Sequence, residues 1–106
     1  MKNEQNSISD AFQTFLRDAP EYSQAWMKAI DELDKANVLD DKTKSLAYLS
    51  VLAALELTSG IPFHVQHAKS LDVTRNEVIG AILVGMPAAG NKVVQALHVA
   101  LHTYDS

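Results

Sequence analysis

The chain has 106 residues, a formal charge of −4 and no cysteine. Without cysteine there is no disulfide, no thiolate nucleophile and no cysteine-ligated metal or cluster. The 13 acidic residues outnumber 9 basic ones, which form no stripe, so the counterion-displacing surface that nucleic acid requires is missing. The length suits a single domain over 1–106. Apolar residues make up 47% and aromatics only 7%, so the core must be built from Ala, Leu, Val and Ile. The polar start, Met1-Lys2-Asn3-Glu4-Gln5-Asn6, lacks the apolar centre of a signal peptide, and residues 1–8 are expected to be flexible. Apolar stretches are too short and too interrupted to span a bilayer. A soluble cytoplasmic protein with no membrane partner is expected.

No segment alternates with a period of two, which predicts an all-α fold without a sheet. The first helix is expected over Ser9–Arg17, with Ile8, Phe12, Phe15 and Leu16 on one face and Ala19-Pro20 ending it. The second is expected over Glu21–Ala36. Its Tyr22, Trp26, Ile30 and Leu33 recur at helical spacing, opposite a wet side of Asp31, Glu32, Asp34 and Lys35. Tyr22 and Trp26 read as core anchors rather than as a stacking platform.

Asp40 is a suitable N-cap for a third helix over Asp41–Thr58. From Ser45 to Leu55 this helix is apolar nearly all round, so it must be covered on every side, either in the middle of the fold or by a second subunit, and so short a chain favours the second. Ser45 and Ser50 suit small packing positions whose hydroxyls bond back to the helix. Gly60 and Pro62 then mark a break and restart. The fourth helix is expected over Pro62–Leu71, carrying Phe63, His64 and His67. Thr74-Arg75-Asn76-Glu77 is a capping box opening a fifth helix, with Val78, Ile79, Ile82, Leu83 and Met86 on its apolar face. Gly85-Met86-Pro87 breaks it, and a sixth runs from Pro87 to Tyr104, with Val93, Val94, Leu97, Ala100, Leu101 and Tyr104 inward.

Chemistry concentrates at Gly60-Ile61-Pro62-Phe63-His64-Val65-Gln66-His67-Ala68. His64 lies near a helix start at a junction of buried elements, where pockets form and an imidazole moves protons near neutral pH. His67 also suits packing or a solvent-facing hydrogen bond. His98 and His102 share a helix face at i, i+4, as zinc-binding histidines do, but no carboxylate or third motif accompanies them, so no metal site is expected.

Three segments in order, Asp40-Asp41-Lys42-Thr43-Lys44-Ser45-Leu46, Phe63-His64-Val65-Gln66-His67-Ala68 and Val73-Thr74-Arg75-Asn76-Glu77-Val78, resemble the carboxymuconolactone decarboxylase family. That family includes the alkyl hydroperoxide reductase D (AhpD-like) proteins. Gly85-Met86-Pro87-Ala88-Ala89 is similar to the break before the final helix in the decarboxylase branch, and the likeness covers about residues 20 to 104. The resemblance implies an AhpD-like bundle of about six helices that assembles as a homotrimer or homohexamer. Laid on this chain, the redox members' histidine falls on His64, their two cysteines on Leu57 and Gly60, and their glutamate on Ser45. Three of the four relay positions are lost, and thiol-dependent peroxide reduction has no nucleophile. The decarboxylase branch keeps the histidine without the cysteines. The resemblance therefore implies a lyase-like protein using His64 as general acid/base, with Phe63 and His67 contacting a small organic acid or lactone and no cofactor. The pocket is expected between the second, third and fourth helices. A non-catalytic oligomeric ligand binder or scaffold of the same fold is the alternative.

Overall fold

The Asp40 carboxylate accepts a hydrogen bond from the Thr43 backbone N–H at 2.8 Å, and this cap starts the first helix of the core. The computed structural model describes residues 8–106, all helix and connection, with no strand among them. The expectation of a flexible 1–8 segment lies, apart from Ile8, outside the described residues. In chain order the helices are α1 (Asp10–Asp18), α2 (Pro20–Ala36), α3 (Asp41–Ala54), α4 (Ile61–Ser70), α5 (Arg75–Leu83), the single turn α6 (Met86–Ala89) and α7 (Val93–Tyr104). Short 3₁₀ turns at Thr58–Gly60 and Gly90–Lys92 join α3 to α4 and α6 to α7.

Helices α3, α4, α5 and α7 pack on one another around a core of Leu49, Leu52, Ala53, Ile61, Val65, Ala68, Val73, Val78, Ala81, Ile82, Val93, Ala96 and Ala100. No aromatic ring is among them, as the composition dictates. An alanine from each of the four helices lets their backbones approach closely. The Ser50 hydroxyl bonds back to the Leu46 carbonyl at 3.2 Å and also donates to the Ala81 carbonyl at 2.7 Å, tying α3 to α5. At the far end, Arg75 grips Asp105 through two bonds of 2.9 and 3.0 Å, and the Tyr104 hydroxyl donates to the Val73 carbonyl at 2.8 Å. The capping box at Thr74 and Glu77 forms as the sequence predicts, and Lys42 reaches the same glutamate at 3.2 Å.

Helix α3 stops at Ala54, four residues before the expected Thr58. The Glu56 N–H bonds the Ala53 carbonyl and the Leu57 N–H bonds the Leu52 carbonyl, with Glu56 at φ 60°. This is a Schellman ending whose left-handed position holds glutamate instead of the usual glycine. The ending of α4 repeats it, with Val73 N–H on Ala68, Asp72 N–H on Lys69, and Asp72 at φ 63°. Glu56→Gly is expected to stabilise the fold by about 1 kcal/mol, because glycine carries no left-handed penalty. A thermal melt in which the variant fails to outlast the parent would contradict this.

The expected last helix is two pieces. Gly90 takes φ 78° with ψ −163°, a conformation essentially reserved for glycine, and breaks the run between α6 and α7. The buried stripe of α7 is Val93, Ala96, Ala100 and Thr103, so Val94, expected inward, is 48% exposed. Likewise Met86 belongs to α6 and is exposed, not part of the α5 face. By length and composition the 30-residue stretch Arg75–Tyr104 could cross a membrane, with an 18-residue window of mean hydropathy 1.3. In the fold it is three helices interrupted at Gly85 and Gly90.

The largest correction concerns α2. Tyr22 is 76%, Trp26 53% and Leu33 70% exposed, so they anchor no core of this chain. The principal neighbour of α2 is α1, and Ser23 is its one buried residue. An ion pair from Lys44 to Asp34 ties its C-terminal end to α3.

Candidate active site

The break after α3 sets the position of His64. The Schellman turn reverses the chain at Glu56, one 3₁₀ turn follows, and Pro62 sits in the first turn of α4, where its missing N–H costs nothing. Ile61 and Val65 point into the core and are fully buried. His64, between them in sequence, therefore faces sideways along α4 and is half-buried.

Two rings hold it. Tyr48 of α3 lies with its centroid 4.6 Å from the imidazole at a 54° tilt, and Phe63 presents its edge at 5.3 Å and 81°. Such offset and edge-on arrangements are the favourable ones for aromatic faces. Among the described residues no hydrogen bond occupies either ring nitrogen, so both are free for a ligand. Burial lowers the His64 pKa below the ordinary imidazole value, and the nearby His67 charge pushes the same way. At neutral pH the ring is therefore the uncharged form, a proton acceptor.

That shift fixes a pH dependence. The unfolded chain takes up the proton near the ordinary value of about 6.5, while the folded chain does so only at lower pH. Between those points the unfolded state binds more protons, so stability falls as pH drops from about 6.5 to the folded value and then levels off. The carboxylates with lowered pKa, Asp40, Glu77 and Asp105, act in a separate, more acidic window. Denaturant titrations of the parent and His64→Gln are expected to differ in slope below pH 6.5. Identical slopes would contradict the burial of the ring.

The remaining predicted residues divide. Phe63 touches His64 and also lines a shallow hollow with Gln66, His67 and Ser70. His67 is exposed on that hollow, which His64 does not line. The enclosed pocket expected between α2, α3 and α4 is not closed by the described residues, because α2 packs mainly on α1 and Tyr48, which meets His64, stays 48% exposed. His98 and His102 sit on α7 beside an open groove with Val94, Leu97, Leu101 and Asp105. Among the described residues no three His, Asp or Glu side chains converge as metal ligands would. Of the positions onto which the redox members' relay falls, Ser45 is buried, Leu57 is 50% exposed and Gly60 lies at the start of α4. Tyr48 is the residue that sequence reasoning missed. It lies 16 positions from His64, within an apolar run where nothing singles it out. The spacing of Tyr48, Val51 and Leu55 was the available signal.

The family model for carboxymuconolactone decarboxylases matches residues 20–102, most of the chain. The chain belongs to the carboxymuconolactone decarboxylase family. Its fold is similar to the crystal structure of apo-lpg0406, a carboxymuconolactone decarboxylase family protein from Legionella pneumophila, at TM-score 0.76 and 23% identity. The match covers 90% of this chain and 85% of that one, and at this identity it speaks for the fold. A search of curated proteins finds no match. Within the family this is a cysteine-free chain that carries a histidine, His64, on α4.

Proposed function

We propose that the protein is a cytoplasmic homo-oligomeric lyase acting on a small organic acid or lactone, with His64 as the proton-handling group and Phe63 and His67 contacting the ligand. The observation that carries this reading is a half-buried imidazole, clasped by Tyr48 and Phe63, with both nitrogens unoccupied and its pKa lowered. A neutral ring in the free protein suits an anionic substrate. The incoming carboxylate places a negative charge beside the imidazole and favours its protonation. The carbon–carbon bond to the carboxylate then breaks. Carbon dioxide leaves, the electron pair delocalises into a lactone carbonyl conjugated with the carbon that bore it, and the imidazolium returns its proton to a carbon of the resulting enolate. Charge and protons balance: carboxylate and imidazolium go in, while carbon dioxide, protonated product and neutral imidazole come out.

The second reading, a ligand-binding scaffold without turnover, draws on Ser45, Leu57 and Gly60, which supply neither the carboxylate nor the two thiols of the redox members' relay. A thermal-shift screen with lactone carboxylates and small unsaturated dicarboxylic acids tests both. A ligand of the folded state raises the melting temperature by mass action. The proposal expects a hit that His64→Ala abolishes, together with carbon dioxide release by the parent. Binding without release favours the scaffold, and binding that survives His64→Ala removes His64 from the site.

A further inference from the structure

Among the described residues two apolar stripes lack a partner. On α2, Tyr22, Trp26, Ile30 and Leu33 follow one another at four, four and three residues, while Glu21, Lys28, Asp31, Glu32 and Lys35 lie on other sides of the helix. From Gln24 to Ala36 every residue of α2 is exposed. A helix of 17 residues with an amphipathic face draws most of its stability from tertiary cover. On α3 and its C-cap, Tyr48 (48% exposed), Val51 (49%) and Leu55 (62%) form the second stripe, at spacings of three and four, on the side away from buried Leu49 and Ala53. It begins at the ring that packs on His64.

The α2 residues with Met27 leave on the order of 600 Å² open, the upper end of what a monomer's largest apolar patch shows. Adding the α3 stripe and Leu57 brings the total to about 1,000 Å², more than the roughly 800 Å² that each side of a stable interface contributes. The link between the stripes is short. Residues 37–40 leave α2 through an extended Asn37 and pass a Val38 that is 96% exposed, and the Asp34–Lys44 ion pair fixes where the arm leaves α3. An arm held at this hinge and packed on α1 does not fold back over its own α3.

We infer that α2 of a second copy lies across the α3 stripe, with the partner's Trp26 on the open face of Tyr48, and that this contact roofs His64. Each chain then donates one stripe and accepts one, which closes under symmetry. A central tryptophan meeting an aromatic partner has the character of an interface hot spot. The inference rests on the reading of His64 as the functional group, and adds that the site is incomplete in one chain.

The absence of cysteine makes a cross-link test clean. Mass-tagged Trp26→Cys protein is mixed with untagged Tyr48→Cys protein, allowed to exchange subunits and mildly oxidised. A covalent heterodimer is expected in severalfold excess over the same mixture made with Glu32→Cys in place of Trp26→Cys. A Leu33→Cys and Val51→Cys pair repeats the test should either first variant lose its helicity. Yield no greater than the control, or only Trp26–Trp26 homodimers, overturns the inference. Trp26 is the chain's single tryptophan, so the unaltered protein gives a second readout. Its emission is expected to be blue-shifted in the assembly and to move red on dilution to monomer. A water-exposed emission at every concentration, in a protein that stays monomeric, overturns the inference in favour of a different occupant. Neither readout uses a ligand, so failure here leaves the His64 reading standing, and a ligand that ignores His64 leaves the cross-link standing.

Discussion

Ile82→Ala is expected to cost about 2–5 kcal/mol, the range for truncating a buried isoleucine that leaves a cavity. Ile82 is fully buried on α5, which packs against both α3 and α7. The core is largely alanine and valine, short side chains with little reach to refill the space, beside Leu49, Leu52 and Ile61. A domain of this size holds about 5–15 kcal/mol in total, so the loss is a large share of the whole. At about 4–8 °C per kcal/mol, the melting temperature is expected to fall by tens of degrees. Val94→Ala on the open side of α7 serves as the comparison and is expected to stay within about 0.5 kcal/mol. Equal melting temperatures for the two variants would contradict the core as described.

His64→Gln is expected to lower kcat for the proposed decarboxylation about 10²- to 10⁴-fold, the usual worth of a positioned proton-transfer group. Glutamine keeps a polar side chain of similar size but holds no exchangeable charge, so binding is expected to survive better than turnover. The fall belongs in kcat more than in KM, because the proton is needed after carbon dioxide departs. A variant with unchanged kcat on the parent's substrate would remove His64 from the reaction.

Local chemistry was the legible part of this chain. Asp40 and the Thr74–Glu77 pair announce helix starts through side chains that satisfy backbone N–H groups, and both caps form. The shortage of aromatic residues forecast a core of small aliphatic ones. The early stop of α3 was hidden because glutamate, not glycine, stands at the left-handed position, stabilised by the two backbone bonds around it. The division of the last helix turned on Gly90, whose unusual ψ is a product of the tertiary path.

Periodicity was right about α2 in one respect and wrong in another. It found the face of Tyr22, Trp26, Ile30 and Leu33 that asks for cover, but a helical repeat carries no information on which molecule supplies it. The candidate site shows the same division. A Gly–Pro restart singles out His64 locally, whereas the Tyr48 ring meets it only through the packing of α3 on α4. The resemblance to the family supplied His64 a role, and the fold supplied the two rings that place it.

The most direct measurement is a titration of the His64 ring by nuclear magnetic resonance, with and without excess γ-butyrolactone carboxylate. The account predicts a midpoint below about 6.5 for the free protein that moves upward when the lactone acid is present, as a carboxylate beside the imidazole requires. A midpoint at the ordinary imidazole value, unmoved by the lactone acid, would contradict it.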